Sequence, residues 1–291
     1  MKSNWKKKFN RFVLSVVPKS RTGDYLVALI NFVRNHKRLP TGDGLNDYLF
    51  KIRVSNEIMR VSRQYTSDKE YVKTYIKALV GDEFNVPTKA VLKTPDEVDN
   101  FSFSEGDVVK PTHASGFVVF VDDEKQINRE LIKSWLKINF YNINRESNYR
   151  YLQPKIIIER ALFGRTDVDD IKMFCVNGKV KLIQWDFDRR INHTRKLYDR
   201  NWCDLGASLC YPLSDKDREK PEQLAEMIAV AEKLSKDFWL IRVDMYWDES
   251  TGRFFVGELT HCHGGANEKF NSKEAERRVS AILFNEEKLP L

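Results

Sequence analysis

One stretch late in the chain constrains its fold more than any other. It runs Leu240-Ile-Arg-Val-Asp-Met-Tyr-Trp247, passes through a polar turn ending in Gly252, and returns as Phe254-Phe-Val-Gly-Glu-Leu-Thr260 before His261-Cys-His-Gly-Gly265. Two runs rich in β-branched and aromatic residues around such a turn read as a β-hairpin. Alternation sends Arg242, Asp244 and Tyr246 to one face and Ile241, Val243 and Met245 to the other. On the second strand it groups Val256, Glu258 and Thr260. A pairing centred on Thr251 then sets Asp244 opposite Glu258. Facing carboxylates repel unless something neutralises them. A hard divalent cation does so, because Mg2+ favours one or two carboxylates together with phosphate oxygens. A surface hairpin with solvated charges satisfies the same spacing.

Size and charge narrow the field. At 291 residues the chain can bury a full core as two domains or one large α/β unit. A net charge of +7 favours an anionic partner such as a nucleotide, a phosphate, an acidic sugar or an anionic membrane. The basic residues are dispersed among acids, with no zinc finger, RNA-binding signature or long basic run, so no nucleic-acid partner is expected. Cys175, Cys203, Cys210 and Cys262 show no CxxC spacing and read as reduced thiols. No apolar run reaches membrane-spanning length and no signal peptide is visible, which gives a cytoplasmic expectation.

Residues 3–21 carry Trp5, Phe9, Phe12, Val13, Val16 and Val17 at helical spacing between Lys6, Lys7, Lys8 and Arg11, closed by Pro18. Such a helix packs on the body of the protein or lies on an anionic membrane. Residues 22–66 read as helical, with a break at Leu39-Pro-Thr-Gly-Asp-Gly44. Ser67 followed by Glu70 forms a capping box for a helix that stops at Gly81. Residues 85–92 read as a strand, and Pro95 to Val98 as a turn into a short helix. Asp107 to Lys110 is a strand, Pro111 to Gly116 a turn of small polar residues, and Phe117 to Val121 a second strand. Small residues let backbone N–H groups approach phosphate, and Lys110 adds a point charge. The order of Lys and Gly is not that of a Walker loop, and a plain turn fits equally. Residues 125–152 read as helical. Pro154 to Leu162 reads as a buried strand whose exit offers backbone groups and the Glu159 carboxylate to an adenine edge. Asp170 to Trp185 is a hairpin turning at Asn177-Gly178, with Asp170, Lys172 and Phe174 on one face. Residues 186–199 read as a polar, cation-rich loop, and 221–236 as an amphipathic helix.

In this order, Asp68-Lys69, the run Val108 to Gly116, Pro154 to Leu162, Asp170 to Lys179, Asp188-Arg189, Arg195 to Asp199, Tyr211-Pro212, Ala231 to Ser235, Ile241 to Tyr246 and Gly257 to Gly265 resemble the TupA-like ATP-grasp family of bacterial surface-polysaccharide biosynthesis. The resemblance implies an α+β fold of the ATP-grasp type: two α+β subdomains clasping a nucleotide, after a helical N-terminal region. The expected boundaries are 1–66 for that region and 67–291 for the ATP-grasp domain, with a smaller lid subdomain at about 100–160. It implies that Lys69 and Lys110 grip the phosphates of ATP, that Thr112, His113, Ser115 and Gly116 form the lid turn, and that Glu159, Arg160, Ala161 and Leu162 meet adenine. Asp170 would lie near the ribose and Lys172 would reach a phosphate. Asp244 and Glu258 would hold Mg2+, and Arg242 would face the transferred phosphoryl group, with Arg189 as a further catalytic cation. Many ATP-grasp ligases have Asn two residues beyond the second carboxylate; here it is Thr260, whose hydroxyl is the third expected metal ligand.

The implied reaction is ATP-dependent carboxylate activation followed by amide formation. The expected substrates are an amino acid and a uronic-acid-containing glycan. Residues 3–21 give an expected peripheral contact with the membrane or with glycan-assembly proteins. A kinase acting on a sugar hydroxyl and a non-catalytic nucleotide- or glycan-binding module are the alternatives. His113 and His263 flank the expected phosphate and substrate regions.

Overall fold

A computed structural model describes residues 8, 10, 12–123, 126–164, 168–189 and 191–285. The chain opens with helices α1 (Arg21–His36), α2 (Leu45–Val54), α3 (Val61–Ser67) and α4 (Tyr71–Leu79). A four-stranded unit follows: β1 (Thr88–Leu92), α5 (Pro95–Asn100), β2 (Asp107–Pro111), β3 (Val119–Phe120), α6 (Arg129–Trp135), α7 (Tyr141–Asn144) and β4 (Ile156–Arg160). Then come β5 (Asp169–Val176), β6 (Lys179–Phe187), β7 (Thr194–Asp199), β8 (Asp204–Ala207), α8 (Leu224–Ser235), β9 (Leu240–Trp247), β10 (Phe254–Thr260) and α9 (Lys273–Phe284). The two sheets are ordered β1-β4-β2-β3 and β10-β9-β5-β6-β7-β8.

The larger sheet is covered on both faces, which follows from its residue alternation. Ile171, Met173, Ile183, Trp185, Ile241, Val243 and Met245 point to one face, where α4 and α8 bring Val72, Ile76, Met227 and Leu234. Phe174, Val176, Leu182, Leu197 and Leu240 point to the other, against Phe32, Leu45, Leu49, Ile52 and Val279 of α1, α2 and α9. Each such side chain contributes roughly 1.5–3 kcal/mol on burial. The helices at 21–54 thus share a core with this sheet. The smaller sheet has its own core of Leu92, Val98, Phe103, Val109, Ile132, Trp135, Ile156 and Ile158.

Several local readings change. The cap before α4 is Asp68, whose Oδ1 accepts from the N–H groups of Glu70 and Tyr71, while Ser67 ends α3 and donates to the Arg63 carbonyl. The helical reading of 125–152 breaks into α6, α7 and a 3-10 turn at Ser147–Tyr149. The supposed loop at 186–199 ends as strand β7, because Arg195 is buried against Asp186 and Leu197 fills the core. Val256 does not share a face with Glu258. The register slips between Val256 and Glu258, so Gly257 is an extra residue and Val256 sits in the core opposite Met245.

Of the amphipathic opening, Trp5, Lys6, Lys7, Phe9 and Arg11 lie outside the described residues. Residues 12–16 are helical; Val13 is buried while Phe12 and Val16 are 61% and 58% exposed. Among the described residues no helix is long and apolar enough to cross a membrane.

Candidate functional site

One face of the larger sheet changes character along its strands. Beneath the helices it is apolar; beyond them it carries Glu258, Asp244 and Lys172 side by side on β10, β9 and β5, with Gln184 next on β6. One row over, Tyr246 pairs with Asp170, and Asp186 with Arg195. The Gly257 bulge makes this possible. It shifts Glu258 into register with Asp244, and its missing side chain leaves room for the Tyr246 ring, which a Cβ there would meet at 2.6 Å.

The smaller sheet faces this polar carpet across a cleft of about 540 Å³. Lys69, Lys110, Ser115, Gly116, Glu159, Arg160, Ala161, Leu162, Asp170, Lys172, Arg189, Arg242, Asp244 and Glu258 all line it. Lys110 reaches across, its Nζ 2.9 Å from Glu159 and 5.8 Å from the centre of the Tyr246 ring. Lys73, which the sequence did not single out, holds the other Glu159 oxygen at 2.6 Å. Glu159 is therefore committed to two lysines rather than open to an adenine amine. The Ala161 N–H is likewise given to the Gly106 carbonyl, at 2.7 Å. Gly116 has a left-handed φ of +83° and open space around it, consistent with a loop that can approach a ligand closely.

Thr112 and His113, expected in the lid turn, face inward. Thr112 donates to Asp68 at 2.9 Å, and His113 Nδ1 accepts from the Lys155 N–H at 3.3 Å. Both are buried and absent from the cleft wall. Thr260 donates to Glu258 at 3.1 Å and lies 3.4 Å from Arg242.

Charge is concentrated where the strands meet. Arg242 forks onto Asp244 with Nε and Nη2 at 2.7 and 2.6 Å. Lys172 pairs with Asp170, lies 3.6 Å from Asp186 and 3.9 Å from Asp244; Arg189 pairs with Asp170 as well. Burial pushes the Asp244 carboxyl up, offset only in part by Arg242 and Lys172. Burial also opposes ionisation of Glu258, but Lys69 and Arg242 outweigh it and hold Glu258 below its ordinary value. Burial lowers Lys69, which donates to the Ala114 carbonyl at 2.6 Å. Two facing carboxylates with a hydroxyl beside them, ringed by Lys69, Lys110, Lys172 and Arg242, suit a divalent cation that brings phosphate oxygens to complete its shell. Among the described residues no group of three or more His, Cys, Asp or Glu side chains could hold a metal without such help.

A second chamber of about 550 Å³ opens behind this corner. Ser115, Lys172, Arg189, Arg242 and Glu258 line both cavities. Its farther walls include Arg53, Glu146, Tyr149, Asp186, His193, Arg195, Tyr211, His263 and Glu268. Glu146, Tyr149 and Glu268 were not singled out from sequence: the first two share one turn, Glu268 comes from a distant one, and no local motif joins them. His261 lies deeper, its Nδ1 3.1 Å from Arg63 and its Nε2 2.9 Å from Thr66. His263 bonds Glu268 at 2.9 Å.

Among solved structures the chain is similar to D-alanine–D-alanine ligase from Bacillus anthracis complexed with ATP (17% identity, TM-score 0.42, 69% of this chain and 57% of that one). It is also similar to the L-amino acid ligase from Bacillus licheniformis (16%, 0.48, 83% and 55%). A third is the ATP-grasp ligase PsnB complexed with a phosphomimetic variant of its minimal precursor, Mg and ADP (13%, 0.41, 76% and 58%). The chain thus spans little more than half the length of these three proteins. No curated protein matches it. The family description TupA-like ATPgrasp matches residues 50–283, which take in both sheets, the cleft and most of the second chamber. The chain belongs to the TupA-like ATP-grasp family and has its fold.

Proposed function

We propose that this protein is an ATP- and Mg2+-dependent carboxylate–amine ligase. The observation that carries the reading is the direct pairing of Asp244 with Glu258 on adjacent strands, inside a cleft ringed by lysines and arginine. In this reading Asp244 and Glu258, with Thr260 beside them, hold Mg2+, which supplies charge neutralisation to the triphosphate. Lys69 and Lys110 bind phosphate oxygens, and Arg160 to Leu162 bound the base. Lys172 and Arg242 stand where both cavities meet, so they offset the repulsion between a carboxylate and the γ-phosphoryl group it attacks. The carboxylate takes the phosphoryl group, and an amine then displaces phosphate to form an amide.

We take the carboxylate to be a uronic acid of a bacterial surface polysaccharide and the amine donor to be an amino acid. The family resemblance supports that choice. A cytoplasmic protein resting on the membrane through residues 3–21 fits the exposure of Phe12 and Val16. The test is ADP release in the presence of paired uronic-acid acceptors and amino acids, with mass spectrometry of the product. An amide supports the ligase. ADP with a stable phosphosugar would make it a kinase instead, and ATP binding without turnover would make it a binding module.

A further inference from the structure

The second chamber holds four acidic side chains, and three of them are satisfied. Asp186 is gripped by Arg195, Glu268 by His263, and Glu258 accepts from Thr260. Glu146 is the exception. Among the described residues no donor reaches its carboxylate and no cation lies within ion-pair distance of it. The nearest positive charge, Arg53, directs its Nη1 and Nη2 at the carbonyls of Gly265 and Asn144, at 2.7 and 2.5 Å. Glu146 is not a loose surface residue. It follows Arg145, whose fully buried guanidinium ties the turn to Asp24 at 3.0 Å and to the carbonyls of Val17 and Pro18 at 2.5 and 3.0 Å. Its backbone N–H donates to Asn144 at 2.9 Å. Glu146 is half-buried on the chamber wall, and a carboxylate held there with no ion-pair partner is available to a cationic ligand.

The neighbouring side chains define that ligand. Phe140 and Tyr149 meet edge to face at 4.9 Å, and both line the chamber beside Glu146. A carboxylate next to aromatic rings suits an ammonium group, which gains from both the charge and the ring faces. A metal ion would want further oxygen or nitrogen ligands, and no such cluster exists among the described residues.

We infer that Glu146 is the specificity-determining anchor for an amine, and that one substrate of this enzyme is an amino acid that binds by its ammonium group against Glu146, Tyr149 and Phe140 and passes a proton to the Glu146 carboxylate before the neutral amine attacks. The inference rests on the ligase reading above. It is tested by calorimetric titration of the full chain, loaded with Mg2+ and AMP-PNP, with each of the twenty amino acids in L and D form and with glucuronate and galacturonate. The expected result is that at least one amino acid binds and its des-amino counterpart (propionate for alanine) does not. Glu146→Gln should weaken that amino acid by about 30-fold or more, with the affinity for AMP-PNP unmoved. Glu146→Asp keeps the charge and should lose less. Failure of AMP-PNP to bind the wild-type chain would remove the ligase reading and this anchor with it. If AMP-PNP binds, the ligase reading stands, and any of four results overturns the anchor alone: no test compound binding, only the uronates binding, the des-amino acid binding equally, or the amino acid binding Glu146→Gln as tightly as wild type.

Discussion

Arg242 forks onto Asp244, two residues along the same strand, with both bonds under 2.8 Å, and so occupies oxygens that a cation at Asp244 would need. The guanidinium and the cation compete for one carboxylate. On the ligase reading, Mg2+ held by Asp244 would displace the guanidinium, and Arg242, which lines both cavities, would be free to meet the phosphoryl group. Arg242→Gln is therefore expected to lower kcat by about 10²–10³, as losing a transition-state cation does. The same change should lower, not raise, the Mg2+ concentration for half-maximal activity. Steady-state ADP release across a Mg2+ titration reads both.

Gly257 makes the second prediction. A Cβ at that position meets the Tyr246 ring at 2.6 Å and forces the bulge to shift. Gly257→Ala should destabilise the fold by about 1–3 kcal/mol, as overpacking does. Because the bulge brings Glu258 into register with Asp244, ATP affinity in Mg2+ should fall as well. Urea denaturation and nucleotide titration check the two effects separately.

The hairpin and its turn were legible because alternation and a glycine-ended turn are local signals, but the pairing centred on Thr251 does not hold beside the turn, where Phe254 faces Trp247, and Asp244 meets Glu258 only through the bulge at Gly257. The bulge was hidden, since Val256 is as apolar as a strand residue on either face. Strand β7 was hidden for the opposite reason: Arg195 and Lys196 look solvated, yet both are buried against acids that come from elsewhere in the chain, Asp186 for one and Asp204 and Asp217 for the other. Thr112 and His113 were placed in the lid turn by the resemblance, and residues in a turn carry no mark of which way they face. Glu146 could not be found at all without tertiary structure. Its meaning lies in a partner it lacks.

A third prediction concerns the N-terminal segment. Arg145 is fully buried and holds Asp24 together with the carbonyls of Leu14, Val17 and Pro18. Arg145→Met leaves Asp24 with only the Tyr141 and Ser147 hydroxyls and should cost about 3–5 kcal/mol. Trypsin should then cut at Lys19 and Arg21 sooner than in wild type. Arg145→Met combined with Asp24→Asn should recover part of the stability.

The histidines set the pH dependence. His36, His113, His193, His261 and His263 are all shifted below the ordinary value of 6.5, burial being the largest cause in each. Below pH 6.5 the unfolded chain takes up protons that the folded chain refuses, so acidification favours unfolding. The histidines should leave stability constant above about pH 7 and make it fall from 6.5 downward, with part of the fall offset by Asp244, whose buried carboxyl is raised to about 6 and takes up its proton in the folded chain first. His261, only 3% exposed and facing Arg63, should alone contribute up to about 1.4 kcal/mol per pH unit in that window. Denaturation series at pH 7.5, 6.5 and 5.5 measure the slope, and NMR titration should find the His261 ring neutral throughout.

The most direct measurement is the calorimetric affinity of ATP with Mg2+ and with EDTA, in the wild-type chain, Asp244→Asn and Glu258→Gln. If the two carboxylates share the cation that carries the triphosphate, Mg2+ should tighten ATP binding strongly in wild type and scarcely at all in either variant. An equal Mg2+ effect in all three proteins, with the fold intact, would contradict it.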